Sequence, residues 1–130
     1  MAISNTQRTL KALAERGLTC GIVERFLAHA GPFGMRKDLF GILDIIALDH
    51  SKGVIGIQSC GSAFSEHRKK ILEEKYQETY DWLLTPGTFF ELWGWRKVKL
   101  KRGGKAMRWK PRVAHFTIEH DVVVCKEFKE

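Results

Sequence analysis

The sequence predicts one α/β domain spanning residues 1–130, one β-sheet with helices packed on its faces. Three observations carry this. The chain has 130 residues, near the usual size of a domain and enough to bury about two-thirds of its unfolded surface without staples. Its composition, 44% hydrophobic and 28% charged, is that of a globular chain, and no repeat, low-complexity run or linker divides it. Its patterns follow the order helix, strand, strand, strand, helix, strand, strand, which one sheet with helices on its faces accommodates.

Residues 4–17 read as a helix. Ser4 followed by Gln7 is a capping-box pattern, Leu10, Leu13 and Ala14 form a narrow apolar stripe, and Gly17 stands where a helix stops. Residues 20–29 read as a strand ending before Ala30-Gly31-Pro32-Phe33-Gly34, a turn by composition. Residues 43–49 and 54–60 are strands rich in β-favouring residues, and the segment between them has the length and glycine of a hairpin loop. Ser62 is placed to cap a long helix in which Phe64, Ile71, Leu72, Thr79, Trp82 and Leu83 recur at helical spacing, until Thr85-Pro86-Gly87 ends it. Residues 88–101 and 106–117 complete the sheet as two strands joined at Gly103-Gly104.

No apolar run approaches the roughly 20 residues of a membrane helix, and the best, 40–48, contains Asp44. Residues 4–8 are polar and lack the layout of a signal peptide, so no membrane association is expected. Cys20, Cys60 and Cys125 are odd in number and far apart, which points to a reducing, cytoplasmic setting and away from disulfides or zinc. The net charge is +7, yet residues 96–112 alone hold nine cations and no acid, so the rest of the chain is slightly acidic. A basic patch this local points to a polyanion such as nucleic acid, although a solvated hairpin would have the same composition.

Asp44 stands where a core strand should be apolar. A buried carboxylate must be solvated, hydrogen-bonded or bound to a cation. With Asp49 facing Gly53, the hairpin register sets Asp44 opposite Gln58, Ile46 opposite Gly56 and Leu48 opposite Val54. Two oxygen-bearing side chains then converge on one face. Such a pair suits a hard cation, magnesium above all, which accepts few protein ligands when phosphate supplies the rest. It equally suits an Asp–Gln hydrogen bond with no metal.

The run Asp38-Leu39-Phe40-Gly41-Ile42-Leu43-Asp44-Ile45-Ile46-Ala47-Leu48, followed by Ile55-Gly56-Ile57-Gln58-Ser59-Cys60, resembles the PD-(D/E)xK nuclease superfamily. It is most similar to the small Holliday-junction-resolvase and phage-nuclease branch, and the likeness extends from the first helix to about Trp95. The resemblance implies a restriction-endonuclease-like fold, a central mixed β-sheet flanked by helices, and a Mg2+- or Mn2+-dependent endonuclease acting on branched or duplex DNA. It also implies a homodimer, in the cytoplasm of a bacterial or phage-infected cell. Asp44 takes the metal-binding aspartate, Gln58 the glutamate position, and the Ser59 carbonyl a further ligand. Glu15 takes the glutamate of the first helix. Cys60 stands where the lysine belongs, so the resemblance looks to Lys69 or Lys70, and secondarily Lys37, for the missing amine. Gln58 removes one negative charge from the pattern and should weaken metal binding. Loss of the motif lysine leaves a second possibility, a catalytically decayed nucleic-acid-binding module on the same fold.

Asp38, six residues before Asp44, suits a second metal or a turn cap. His67 suits a general base or a surface residue beside Arg68 and Lys69. A two-residue Gly103-Gly104 turn would put Val98, Leu100, Met107 and Trp109 on one face of the second hairpin. Lys97, Lys99, Lys101, Arg108 and Lys110 would then share the other, where they and Arg102, with Arg36 and Lys37 earlier in the chain, are the expected DNA contacts. Trp93 and Trp95 suit base stacking or the core.

Overall fold

The computed structural model describes residues 3–29 and 31–127; Ala30 of the expected turn lies outside them. Helix α1, Asn5–Glu15, begins as its sequence dictates: the Ser4 hydroxyl accepts the Gln7 N–H at 3.2 Å. Strand β1, Thr19–Ile22, follows. The single strand expected at 20–29 is interrupted at Val23 and Glu24. Its second part, β2 (Arg25–Leu27), leaves the main sheet to pair antiparallel with β3 (Met35–Lys37) in a small ribbon.

Strands β4 (Ile45–Asp49) and β5 (Gly53–Cys60) form the first hairpin in the expected register, Asp49↔Gly53, Leu48↔Val54 and Ile46↔Gly56. The turn is held by the Asp49 carboxylate, which accepts from the Ser51 N–H at 2.9 Å and the Ser51 hydroxyl at 2.6 Å. Gly53, at φ 144°, is required here: a Cβ would stand 2.1 Å from the Gly87 carbonyl oxygen.

The long helix expected after Ser62 is two helices, α2 (Phe64–Leu72) and α3 (Tyr76–Leu84). Ser62 does not cap; Ala63 occupies that position without a side-chain bond. The break at 73–75 re-aims α3 so that buried Thr79 donates to the Ile71 carbonyl and Tyr76 Oη accepts the Val123 N–H at 3.2 Å. The chain returns as β6 (Thr88–Lys99), parallel to β5, followed by β7 (Met107–Glu119) and β8 (Val122–Glu127), both antiparallel. Strand β8 was not expected. Its turn uses His120 and Asp121, both at positive φ, without the glycine that marks such turns in a sequence.

The six-stranded mixed sheet runs β1-β4-β5-β6-β7-β8. Helix α1 covers one face, burying Leu13 among Ile45, Ala47, Ile55, Ile57, Trp93 and Trp95. Helices α2 and α3 cover the other, where Phe64 and Ile71 meet Phe90, Leu92 and Phe116. A fully buried side chain of Leu13's size contributes about 1.5–3 kcal/mol. Gly94 lets α2 approach: a Cβ there would lie 2.5 Å from the Phe64 ring. Among the described residues, no helix is long and apolar enough to cross a membrane.

The second hairpin differs from expectation by one residue. Leu100 N–H bonds the Ala106 carbonyl at 3.0 Å, so the connection is a five-residue loop, 101–105, rather than a two-residue turn. Lys97 pairs with Trp109, Val98 with Arg108 and Lys99 with Met107. A one-residue slip exchanges faces. Lys97 and Lys99 therefore share the α1 face with Trp109 and Met107, while Arg96, Arg108 and Lys110 share the other with Val98. The single cationic face expected of Lys97, Lys99, Lys101, Arg108 and Lys110 does not exist. Lys101 and Arg102 lie in the exposed loop.

Candidate metal centre

Three strands meet at Asp44. Its N–H donates to the Ile57 carbonyl at 2.9 Å and its carbonyl accepts the Val23 N–H at 2.8 Å, so its backbone is held between β5 and the end of β1. Its side chain lies on the α2–α3 face, 6% exposed, and Oδ2 accepts the Ser59 N–H at 2.8 Å. Just upstream, Leu39 and Leu43 bridge across a tight loop with Phe40 and Gly41 at φ 57° and 74°. That loop turns Asp38 back onto Asp44. Glu24, following Val23, arrives from the other side, and carboxylate oxygens of Glu24, Asp38 and Asp44 all lie within 4.8 Å of one another.

This crowding shows in the Asp44 carboxyl, whose pKa is pushed up to about 8. Burial is the largest cause, followed by the hydrogen bond with Asp38. The Ser59 N–H opposes both, and the negative charges of Asp38 and Glu24 add to the rise. Arg36 answers Glu24 with an ion pair at 3.6 Å.

The β4–β5 pairing ends at Ile45↔Ile57, one residue short of the expected Asp44–Gln58 pair, and the Gln58 side chain is engaged elsewhere. Its Nε2 donates to the Ile42 carbonyl at 2.8 Å, and its Oε1 lies 2.7 Å from His67 Nδ1. A carbonyl only accepts, which fixes the amide orientation; the amide oxygen then requires the proton on His67 Nδ1, leaving Nε2 as the acceptor of neutral His67. The Ser59 hydroxyl belongs to the opposite face, on Thr9 Oγ1 at 2.8 Å. The convergent donors are therefore the carboxylates of Asp44, Asp38 and Glu24, an all-oxygen set of the kind hard divalent cations take. Of the predicted trio, Asp44 and Ser59 meet at the Ser59 N–H, while the Gln58 oxygen is turned to His67.

The remaining expected residues lie apart. Lys69 and Lys70 are exposed on α2, whose inward side carries Phe64, His67 and Ile71. Neither is among the groups that act on the Asp44 carboxyl, which are Asp38, Ser59 and Glu24. Glu15 is exposed on the α1 side of the sheet, in a groove with Trp95 and Trp109, with the sheet between it and Asp44. Cys60 is buried against Phe64, and burial with the Asp44 charge pushes its thiol up to about 11 despite Arg112. Lys37 is exposed at the end of β3.

Glu24 and the ion pair of Arg36 were not legible beforehand, because they depend on pairing between distant strands. His67 had a signal: it is three residues after Phe64 and four before Ile71, on the buried stripe of α2. No protein family, no characterised protein and no solved structure matches this chain.

Proposed function

We propose that this α/β domain is a divalent-cation-dependent endonuclease of restriction-endonuclease-like build, acting on branched or duplex DNA in the manner of Holliday-junction resolvases. The observation that carries the reading is the buried Asp44 carboxyl crowded by Asp38 and Glu24 at a strand end. Carboxylates so placed repel one another unless a proton or a cation intervenes. Magnesium or manganese bound there would supply Lewis acidity to a phosphodiester. Asp44, Asp38 and Glu24 would hold it; the Ser59 N–H fixes the Asp44 carboxylate, and the Gln58–His67 pair presents His67 Nε2 as a proton acceptor beside the strand. The basic hairpin supplies sequence-independent phosphate contacts. A homodimer accompanies this reading, supported by the resemblance and by Ile22, half-exposed on the edge strand β1; a single-chain mass by light scattering would remove it.

A second reading is favoured by the exposure of Lys69 and Lys70 and the burial of Cys60. With no amine from those lysines over the carboxylates, the domain would bind DNA without cutting it. A labelled four-way junction and a supercoiled plasmid, incubated with Mg2+ or Mn2+, separate the two. Cleavage by the wild type, abolished in Asp44→Ala with DNA affinity kept, supports the nuclease. Binding without cleavage in either metal assigns the non-catalytic module.

A further inference from the structure

The corrected register of the second hairpin leaves Trp109 42% exposed on the α1 face, opposite Lys97 and diagonal to Lys99. The Arg8 guanidinium lies over its ring, 3.7 Å from the centroid, and the Lys97 amine lies 5.4 Å from it. Arg8 and Trp109, together with Trp95, Lys11 and the one acid, Glu15, line a groove of about 290 Å³, at the small end of ligand-binding cavities, with Lys97 beside it.

The floor of this groove is fixed. Trp95 Nε1 donates to Thr9 Oγ1 at 2.8 Å, and Thr9 Oγ1 donates to the Asn5 carbonyl at 3.0 Å. One hydroxyl has one proton, so the 2.8 Å contact of Thr9 with Ser59 Oγ is donated by Ser59. Ser59 in turn gives its N–H to Asp44. The groove and the carboxylate cluster, on opposite faces of the sheet, are thus linked through Ser59 of β5, near the end of the sheet where β5 stops and β6–β7 runs on.

We propose that this groove is a subsite for an unpaired base of DNA, stacked on Trp109 or on the outer plane of Arg8, with Lys11, Lys97 and Lys99 against the flanking phosphates. The inference deepens the nuclease reading and rests on it for the choice of DNA. Flat π and guanidinium surfaces take bases of any sequence, whereas a duplex keeps its base faces stacked and unavailable. The cations exceed the one acid of the lining, as a polyanion requires. A substrate with an unpaired stretch, such as a junction or a flap, would be held in this way.

The test measures binding of a labelled oligothymidylate and of a blunt duplex, in EDTA so that no cleavage intervenes. Wild-type binding of the oligothymidylate should quench tryptophan emission. Trp109→Ala should weaken it about tenfold or more with duplex affinity and melting temperature unchanged, and Trp109→Phe should restore most of the loss. Arg8→Ala should lose less. No wild-type binding, an unchanged affinity in Trp109→Ala, or an equal loss for duplex overturns the subsite, and tighter binding of oligouridylate overturns its assignment to DNA. Asp44→Ala should bind oligothymidylate as wild type does. Absence of cleavage with selective oligothymidylate binding would refute the catalytic reading alone; cleavage lost only in Asp44→Ala, with Trp109→Ala indifferent to single strands, would refute the subsite alone.

Discussion

The hairpins β4–β5 and β6–β7 belong to one sheet and differ in almost every physical respect. The first is buried on the α1 face of β4 and on both faces through the middle of β5, carries the acidic cluster at its open end, and closes through a turn held by Asp49. The second runs beyond the helices, carries the basic run on both faces, and closes through an exposed loop. Burial restricts the first to one register and one set of neighbours, the condition for placing carboxylates within an ångström or so of a useful geometry. Exposure leaves the second dependent on loop length and suited to phosphate contacts, which tolerate displacement. In the proposed function, chemistry belongs to the rigid hairpin and adhesion to the open one.

The severest way to break this contrast is Gly53→Ala. The new methyl would meet the Gly87 carbonyl at 2.1 Å, at a φ of 144° that alanine avoids. Backbone faces backbone, so no flexible side chain can yield. A loss of about 3 kcal/mol or more is expected, a fall in melting temperature of about 10 °C or more. A melting temperature within about 2 °C of the wild type would mean that the first hairpin is not locked.

Next in size is the pH dependence imposed by Asp44. Its folded pKa is raised from the ordinary 3.8 to about 8. The sign follows from linkage: the proton stabilises the fold fully below about pH 4, and this contribution is lost as pH rises through about 8. The ceiling is about 1.4 kcal/mol per pH unit across that window. Asp44→Asn keeps an acceptor for the Ser59 N–H and a donor for Asp38 while removing the charge. In metal-free buffer it should match the wild type near pH 4 and exceed it in stability by a few kcal/mol at pH 8. Adding Mn2+ at pH 8 should raise the melting temperature of the wild type and not of Asp44→Asn. Parallel urea-stability curves for the two proteins from pH 4 to 8 would show that Asp44 is not held protonated.

How far this division was legible beforehand depends on the range of the interactions. The Ser4–Gln7 cap and the β4–β5 register are local, and each is written within a few residues of itself. Asp44 was conspicuous as a charge in an apolar run. Asp38 was singled out for a second metal or a turn cap, but its contact with Asp44 was not legible, and Glu24 was not singled out at all, because their approach needs the pairing of Val23 with Asp44 and a loop with Phe40 at φ 57°, a conformation a bulky residue seldom reveals. Gly103-Gly104 suggested a two-residue turn where the chain uses five, and nothing buried at the hairpin tip enforces the difference. Register was readable where burial enforces it and misread where solvent does not.

The split of cations between faces sharpens the contrast through salt dependence. Each phosphate neutralised on duplex DNA contributes about 0.9 to the log–log slope of affinity against salt. If the α1 face meets DNA, replacing both Lys97 and Lys99 by alanine should flatten the slope by about two units, while replacing Arg96 and Arg108 should change it by less than about one. Equal flattening in the two double variants would mean that both faces touch DNA, and the stacking groove would lose its privileged position.

The smallest effect belongs to the tip of the open hairpin. Gly103 sits at φ 79°, where alanine is strained, yet a Cβ there meets nothing within 4 Å. The cost is then only that of a left-handed alanine, about 1 kcal/mol, against several for the clash at Gly53. Gly103→Ala should melt about 3–5 °C lower and bind duplex DNA with an unchanged salt slope, since no cation moves from its strand. Its difference from Gly53→Ala is the measurable form of the distinction between the two hairpins. A fall as large as that of Gly53→Ala would make the loop 101–105 a structural lock in its own right, and the division between a rigid chemical hairpin and a tolerant adhesive one would not stand.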